Sequence, residues 1–197
     1  FVAPMQFSFL TFALEVVDND GNTTTTYITV QIGEQTIFDV QYTSDPGEGE
    51  DCYPSSSTGQ IVNVTGIVTA VKSFSSYPNF FIQDPDEDEW GGVYVYVGES
   101  DPLTLGDEVN FDAEVDEYYG VTELKNVSSM TILNTNVNIN PISISTGDLG
   151  LECGPGEAYE GMYVEFPSVV VEEVVEFTSS SGSIDISYII NDGSGNA

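Results

Sequence analysis

The feature that most constrains the fold of this chain is the spacing of its apolar residues, which repeat at every second position in almost every patterned segment. β-branched and aromatic residues dominate these segments, as is typical of strands, whose side chains alternate between two faces. No window has a convincing helical period. The pattern therefore predicts an all-β protein, with strands over residues 7–17, 24–32, 61–71, 79–84, 92–97, 108–115 and 121–127.

The predicted strands fall into three regions. Residues 1–38 hold two strands around the turn Asp18–Asn22, a pair too small to be stable without a partner sheet. Residues 39–140 begin with a polar linker at 43–55 and continue with five closely spaced strands, which indicates a small closed barrel or sandwich. Gly66 lies in the middle of the first of these strands and predicts a bulge or a sharp coil. Residues 141–197 form an incomplete third region.

Four motifs of the central region occur in a characteristic order: "VNVTGIVTAV", "NFFIQDP", "GVYVYVG" and "LGDEVNFDAEVDEYYGVTEL". Together they resemble the OB-fold region of bacterial extracellular nucleases and of related, non-enzymatic secreted surface proteins. The stretch from Gly98 to Gly106 leaves no room for the helix that many OB-folds place between their third and fourth strands. The resemblance implies an OB-like barrel; the His and basic residues of the nuclease domain do not occur here, so it implies no catalysis.

Both flanking regions also carry resemblances. "LEVVDNDGNTTTTYITVQI" resembles the last two strands of extracellular immunoglobulin-like repeats of the PKD or cadherin-like kind. "AYEGMYVEFPSVVVEEVV" and "YIINDGSGNA" resemble the first two strands of a second OB-like unit. These resemblances imply an Ig-like β-hairpin before the barrel and the start of another barrel after it.

The charge balance excludes several classes of function. The chain has 33 acidic residues, only Lys72 and Lys125 as basic residues, no His, and a formal net charge of -31. Without His, a Ser-His-Asp or Cys-His arrangement cannot form, and two Lys provide no phosphate clamp. Close pairs of carboxylates, which could hydrolyse glycosides, arise by chance among so many acids. We therefore expect no enzymatic activity.

Cysteine and hydropathy patterns point to a secreted or cell-surface protein. Cys52 and Cys153 lie about a hundred residues apart in loops rich in Gly, Pro and Glu, without the close spacing of a metal or redox pair. They predict a disulfide in an oxidising compartment; two unrelated free thiols are the alternative. No apolar stretch is long enough to cross a membrane, and no signal peptide is visible, so we expect a mature or excerpted segment without membrane insertion.

Acidic residues cluster at three positions where oxygen ligands could bind Ca²⁺, the alternative being a solvated turn. The first cluster has the alternating spacing of a Ca²⁺ loop without the full EF-hand pattern. The third is the weakest, because the Gly-Ser-Gly within it indicates a plain turn. The clusters are Asp18, Asp20 and Asn22; Asp84, Asp86 and Asp88; and Asn191, Asp192 and Asn196.

Aromatic residues of the central region could stack on bases, but the acidic charge should repel a nucleic acid, which proteins bind largely through Lys and Arg. Filling the barrel and its rim is the alternative role of these rings. The candidates are Tyr77, Phe80, Trp90, Tyr94, Tyr96, Tyr118 and Tyr119. Tyr77, Trp90, Tyr118 and Tyr119 are the ligand-binding candidates if the domain does hold a nucleic acid.

The sequence thus predicts a non-catalytic structural, adhesive or assembly module of a secreted or cell-surface bacterial protein. Its expected partners are other domains of the same protein or other copies of itself, without nucleic acid. The incomplete regions at both ends predict strand complementation between copies, which would build a filament. The alternative is an accessory nucleic-acid-binding OB domain of an extracellular nuclease. A continuous groove of Tyr and Trp near the two Lys would favour this alternative, and an acidic surface with unpaired strand edges would favour assembly.

Overall fold

Strands dominate the part of the chain that the computed structural model describes, which comprises residues 8–32, 35–48, 52–74, 77–97, 103–150, 154–178 and 182–197. The chain divides into two units, one ending at Gln35 and the other beginning at Thr36. The strands are β1 Ser8–Val17, β2 Thr23–Ile32, β3 Ile61–Phe74, β4 Tyr77–Gln83, β5 Gly92–Val95, β6 Glu108–Tyr118, β7 Val121–Asn134, β8 Ile142–Ser143, β9 Val164–Glu165, β10 Val170–Thr178 and β11 Ile184–Asn191.

Five of these strands form a closed barrel in the order β3-β4-β5-β7-β6, and β6 pairs back with β3. The pair β5–β7 is parallel and the other four pairs are antiparallel. This order and this closure define an OB-fold barrel, so the predicted all-β, OB-like fold is confirmed. No described helix is long and apolar enough to span a membrane.

The barrel core follows directly from the period-two pattern of its strands. Along β6, Val109, Phe111, Ala113 and Val115 are buried, and the residues between them are partly exposed. The same alternation on the other strands buries Val62, Val64, Val68, Phe80, Ile82, Val93, Val95 and Leu124. Because each strand contributes every second side chain, closure removes nearly all of this apolar surface from water.

A short helix, α1 Ile37–Gln41, packs against the barrel and was not predicted. Its Ile37 and Val40 are fully buried in the barrel core. Thr36 and Asp39 form a capping box, in which Asp39 N–H donates to Thr36 Oγ1 (3.1 Å) and Thr36 N–H donates to Asp39 Oδ2 (3.0 Å). Helix α1 supplies apolar side chains to the barrel from the segment before β3. The stretch expected to lack a helix, Gly98 to Gly106, lies partly outside the described residues, since residues 98–102 are not described.

Gly66 permits this packing, because a Cβ atom there would lie 3.0 Å from both Ile37 Cδ1 and Ile82 Cβ. The bulge predicted at Gly66 is placed wrongly. The register of β3 against β4 shifts between Val68 and Ala70 instead, and β3 pairs without interruption from Ile61 to Ile67 with β6. Gly66 therefore allows Ile37 and Ile82 to pack closely against β3, and it does not form a bulge.

Two long two-stranded ribbons form sheets of their own, apart from the barrel sheet. β1 and β2 pair in register from Ser8↔Ile32 to Val17↔Thr23, and the turn between them falls at the predicted position. β10 and β11 form the second ribbon, and β8 and β9 a short parallel pair. A helix α2 at Thr146–Leu149 and a 3-10 helix at Pro155–Tyr159 lie between the barrel and the second ribbon.

Candidate ligand groove on the barrel

Strand register brings aromatic and charged side chains together on the outer surface of the barrel. Phe81 lies opposite Tyr94, Tyr94 lies opposite Glu123, and Glu123 lies opposite Asp116, so one row crosses β4, β5, β7 and β6. Two hollows of about 450 and 390 Å³ lie along this row and share Tyr94, Tyr118 and Glu123. We call this surface the tyrosine groove; its lining residues are Lys72, Phe81, Tyr94, Tyr96, Asp116, Tyr118, Val121, Glu123, Lys125 and Glu160.

The aromatic rings of the groove are held in place by their neighbours. The Asn79 side-chain amide donates to the Tyr94 hydroxyl oxygen (2.6 Å), and Asn79 Oδ1 accepts from Val97 N–H (3.1 Å). The rings of Tyr94 and Phe81 lie with centroids 5.0 Å apart. Burial raises the pKa of the Tyr94 hydroxyl, so this group stays neutral.

The turn between β6 and β7 shapes the rim of the groove. Its two central residues, Tyr119 and Gly120, have φ angles of 53° and 76°, as in the turns that suit the twist of antiparallel strands. A bulky residue seldom adopts a positive φ, and here it leaves the Tyr119 ring 77% exposed and edge-on to Tyr118, with centroids 4.7 Å apart. The turn therefore presents two adjacent tyrosines at the rim.

Both lysines of the chain line this groove, and two carboxylates hold Lys125. Lys125 Nζ lies 2.8 Å from Asp116 Oδ2 and 3.7 Å from Glu114 Oε1. The hydrogen bond to Asp116 and the two negative charges raise the pKa of Lys125. Burial, followed by the charge of Asp116, raises the pKa of the Glu123 carboxyl, and Lys125 opposes this. The groove is thus the one surface of this acidic chain on which both of its basic side chains lie.

Glu160 forms a partly buried edge of the groove. Its Oε2 accepts Thr122 N–H (3.1 Å). Burial raises the pKa of this carboxyl to about 8, the charges of Glu157 and Glu117 add to the rise, and the hydrogen bonds from Thr122 and Gln41 oppose it. Glu160 is therefore largely protonated at neutral pH and adds little negative charge to the groove.

The aromatic candidates predicted from sequence separate in the structure. Tyr118 and Tyr119 lie at the groove and its rim. The Trp90 ring instead packs against Tyr42 and Tyr53, and the Trp90 backbone N–H donates to Ala158 O (2.6 Å). Phe80 is a core residue. The side chain of Tyr77 lies outside the described residues.

Several groove residues were missed because their proximity depends on strand register, which the sequence does not reveal. In the structure, Tyr94 and Tyr96 have the parity opposite to the buried Val93 and Val95. That parity was the only available signal that these tyrosines face outward and do not fill the barrel.

The acidic clusters lie in turns whose own hydrogen bonds use their oxygens. Asp18 Oδ1 accepts from Asp20 N–H (2.9 Å) and Asn22 N–H (2.8 Å), and Asp18 Oδ2 accepts from the Asn22 amide (2.8 Å). Asp84 Oδ1 accepts from Asp86 N–H (3.0 Å), and Asp88 is exposed in the same loop. Within the described ranges, no group of three or more acidic or cysteine side chains is arranged to hold a metal ion.

The third cluster has a structural role. Asp192 accepts hydrogen bonds from Thr146 and Ser194, and those bonds lower the pKa of its carboxyl. The hydrogen bonds between Asp192 and Thr146 connect the end of β11 to helix α2. Asn191 and Asn196 are hydrogen-bonded to each other (2.6 Å).

Cys52 is disulfide-bonded, and Cys153 lies outside the described residues. The pairing of these two cysteines therefore stays a prediction.

Comparison with family models and with curated proteins finds no match. Among solved structures, the second OB-fold domain of replication protein A from Methanococcus maripaludis is 16% identical, with 41% of this chain and 91% of that chain covered and a TM-score of 0.32. The mitochondrial single-stranded DNA binding protein Rim1 from S. cerevisiae is 13% identical, with 40% and 98% covered and a TM-score of 0.34.

A third solved structure, the OB domain of Ta0387 from Thermoplasma acidophilum, is 26% identical, with 41% and 79% covered and a TM-score of 0.28. Likenesses of this size say nothing about the ligand of the present chain.

Proposed function

We propose that this chain is a non-catalytic, adhesive binding module of a secreted or cell-surface protein, and that the tyrosine groove is its ligand surface. The observation that carries the proposal is the groove itself, where Tyr94, Tyr96 and Tyr118 lie beside both lysines of the chain. OB-fold barrels bind ligands across their second and third strands and the loop between the fourth and fifth. β4, β5 and the β6–β7 turn are these elements here.

Binding without catalysis agrees with the chemistry of the groove. The chain has no His, and its only lysines lie here, with Lys125 2.8 Å from Asp116. No His is therefore available among the groove residues to act as the base of a Ser-His or Cys-His pair. The hollows are of the size that proteins use to hold small ligands.

The alternative, an accessory nucleic-acid-binding domain of an extracellular nuclease, gains support from the aromatic rings near the lysines. The charges oppose it, because Lys125 is held between Asp116 and Glu114 and phosphate contacts dominate affinity for nucleic acids. Trp90 also packs away from the groove, against Tyr42 and Tyr53. We therefore place this function second.

An assembly role is favoured by a different observation, the apolar surface of the ribbons. On β1 and β2, Phe12, Leu14, Val16 and Ile28 share one face and are each more than half exposed. Val170, Phe177 and Ile184 of the second ribbon are likewise exposed. Strand addition between copies would cover such surfaces and build a filament. Electron microscopy and light scattering of the purified chain test this role: filaments would support it, and a monomer at all concentrations would contradict it.

The binding function is tested by titrating the folded chain with three ligand classes: uncharged oligosaccharides, oligo-dT and a cationic peptide. We expect one class to bind, and Tyr94→Ala to weaken that binding roughly tenfold or more. Tyr27→Ala is the matched control, because Tyr27 is an exposed tyrosine on β2, outside the unit that holds the groove. Absence of binding by all three classes, with circular dichroism showing a folded chain, would overturn the proposal.

A further inference from the structure

We infer that a second surface of the barrel unit, formed by helix α1 and the loops before β3 and β5, binds an arginine-bearing peptide segment of a partner protein. We call this surface the aromatic patch; it consists of the rings of Phe38, Tyr42, Tyr53 and Trp90. The patch shares no residue with the two hollows of the tyrosine groove, so the inference goes beyond the proposed function.

The four rings form a continuous aromatic surface. Phe38 and Tyr42 stack with centroids 5.0 Å apart and planes inclined by 9°, because residues four positions apart on a helix are neighbours. The Trp90 ring lies edge-on to Tyr42 at 5.6 Å and is tilted against Tyr53 at 6.0 Å. Tyr42 is 48% exposed and the other three residues are partly exposed, so a ligand in solvent can reach the patch.

Two of the rings stand on backbone that bulky residues seldom adopt. Tyr53 has a φ angle of 42° and Trp90 one of 59°. The Trp90 loop is closed by a hydrogen bond from Asp84 N–H to Gly91 O (2.8 Å), and Trp90 N–H donates to Ala158 O. Conformations of this kind cluster at ligand sites, and rings held in place before binding lose little conformational entropy. The strain therefore favours a binding role for the patch.

Carboxylates from two elements flank the rings. Asp39 lies on α1, and Asp84, Asp86, Glu87 and Asp88 lie in the loop between β4 and β5, which also carries the tryptophan. Burial, followed by the charges of the four aspartates, raises the pKa of the Glu87 carboxyl. The charge of Asp39 thus acts on the loop carboxylates, and the two elements concentrate negative charge beside the patch. We call these five carboxylates the acidic rim.

An organic cation is the ligand that rings and carboxylates favour together. The faces of aromatic rings attract cations, and the acidic rim attracts them at longer range. A bound cation would also relieve the repulsion among the carboxylates around Glu87. Both lysines of the chain line the tyrosine groove, so the positive charge for this patch has to come from a partner.

Arginine matches the patch better than lysine does. Its planar guanidinium stacks on aromatic faces and can donate two parallel hydrogen bonds to one carboxylate, whereas the lysine ammonium is a compact and strongly hydrated charge. A second copy of these 197 residues cannot be the partner, because the sequence contains no Arg. The occupant is therefore a segment of a different sequence that carries exposed arginines.

Trp90 makes binding at the patch measurable, because it is the only tryptophan in the sequence. We expect a peptide of alternating Arg and Gly to change the Trp90 fluorescence in about 0.15 M salt, where the Debye length is about 8 Å. The matched Lys–Gly peptide should bind roughly threefold or more weakly. Tyr42→Ala should raise the Kd of the Arg peptide roughly three- to tenfold, and Tyr42→Phe, which keeps the ring, should change it less than about twofold.

The acidic rim is tested by Glu87→Gln, which should also weaken binding of the Arg peptide. Asp185→Asn is the charge-matched control, because it removes an exposed carboxylate from β11; its effect should be smaller. Circular dichroism shows whether each variant is folded, and Glu87→Gln keeps the inference testable if Tyr42→Ala does not fold.

Three outcomes would overturn the inference. Equal binding of the Arg and Lys peptides, abolished by high salt, would show attraction by the net charge alone. A Kd that Tyr94→Ala raises and Tyr42→Ala does not would move the cation to the tyrosine groove, which would support the proposed function while refuting this inference. Absence of binding by the folded chain would refute this inference and leave the proposed function standing.

Discussion

The barrel and the ribbons have the same period-two sequence pattern but differ in what becomes of their apolar side chains. Phe111 of β6 is fully buried, with its ring edge-on to Phe80 at 6.0 Å, whereas Phe12 of β1 is 54% exposed and Phe177 of β10 is 65% exposed. Closure of five strands gives the barrel an interior, and a two-stranded ribbon has none. Alternation thus predicts which side chains share a face, and the number and closure of the strands decide whether that face is buried.

The largest expected difference between these regions is in the cost of removing a phenylalanine. Phe111→Ala should lower the free energy of unfolding by roughly 3–5 kcal/mol, because it opens a cavity in the closed core. Phe177→Ala should lower it by less than about 1 kcal/mol, since its side chain is already mostly in water. Urea unfolding followed by circular dichroism measures both. Equal losses would contradict the comparison and would indicate that the second ribbon is covered in solution, as assembly requires.

The predicted Cys52–Cys153 disulfide extends the comparison, because it would link the loop that precedes the barrel to the segment that follows the barrel in sequence. Closing a loop of this length is worth up to about 4.7 kcal/mol in the chain-entropy model, and roughly 2–4 kcal/mol in practice. Reduction of the wild type should lower the melting temperature, and the double variant Cys52→Ser, Cys153→Ser should show the same decrease without reductant. The double variant is also the control, because dithiothreitol should not change its melting temperature. Two free thiols in a non-reduced sample would rule the pairing out.

The pH dependence of stability tests the edge of the groove. The ordinary pKa of Glu160 is 4.5 and burial raises it to about 8, so between these values the folded chain holds a proton that the unfolded chain has lost. The free energy of unfolding should therefore fall as pH rises through this window. The groups that face Glu160 are the carboxylates of Glu157 and Glu117, the Gln41 amide and, in the same hollow, the Lys72 ammonium.

Glu160→Gln keeps an oxygen for Thr122 N–H and removes this titration. We expect the variant to match the wild type near pH 5 and to be more stable by roughly 2 kcal/mol near pH 9, after a discount for partial exposure. The control is Glu165→Gln on β9, an exposed position, whose free energy of unfolding should equal that of the wild type across this pH range. A wild-type stability that rises from pH 5 to 9, with no difference in Glu160→Gln, would show that the carboxyl is ionised in the folded chain.

The alternation of apolar residues was sufficient to predict the barrel strands and the first ribbon within a few residues, except for β7, which continues past the predicted end at Val127 to Asn134. It could not predict α1, because five residues are too few to show a helical period and Ile37 and Val40 are fixed by tertiary packing. The groove could not be predicted without the strand register, because Phe81, Tyr94, Glu123 and Asp116 lie on four different strands. Trp90 was a reasonable ligand candidate by residue type, but the sequence could not predict that its ring packs against Tyr42 and Tyr53.

The smallest expected effect concerns Ca²⁺, for which the two regions again differ. In the ribbon turn, hydrogen bonds from Asn22 and other turn groups lower the pKa of Asp18, so the negative charge of its carboxylate is already stabilised. In the barrel loop, the pKa of Glu87 is raised by burial and then by the charges of Asp84, Asp86, Asp39 and Asp88, so these carboxylates repel one another. The free energy of cation binding is more favourable where the cation relieves repulsion between carboxylates than where it competes with hydrogen bonds that a carboxylate already accepts.

Within the described residues no cluster is arranged to hold a metal ion, so we propose that Ca²⁺ acts only weakly and diffusely, near Asp84, Asp86 and Asp88 and not near Asp18, Asp20 and Asn22. At a Ca²⁺ concentration equal to Kd, the gain in unfolding free energy is only about 0.4 kcal/mol. The melting temperature in millimolar Ca²⁺ should thus exceed slightly that in NaCl of equal ionic strength with chelator. Asp86→Asn with Asp88→Asn should abolish this excess, and Asp20→Asn should preserve it. If NaCl alone reproduces the whole effect, the acidic loop is a solvated surface and its charge is merely screened.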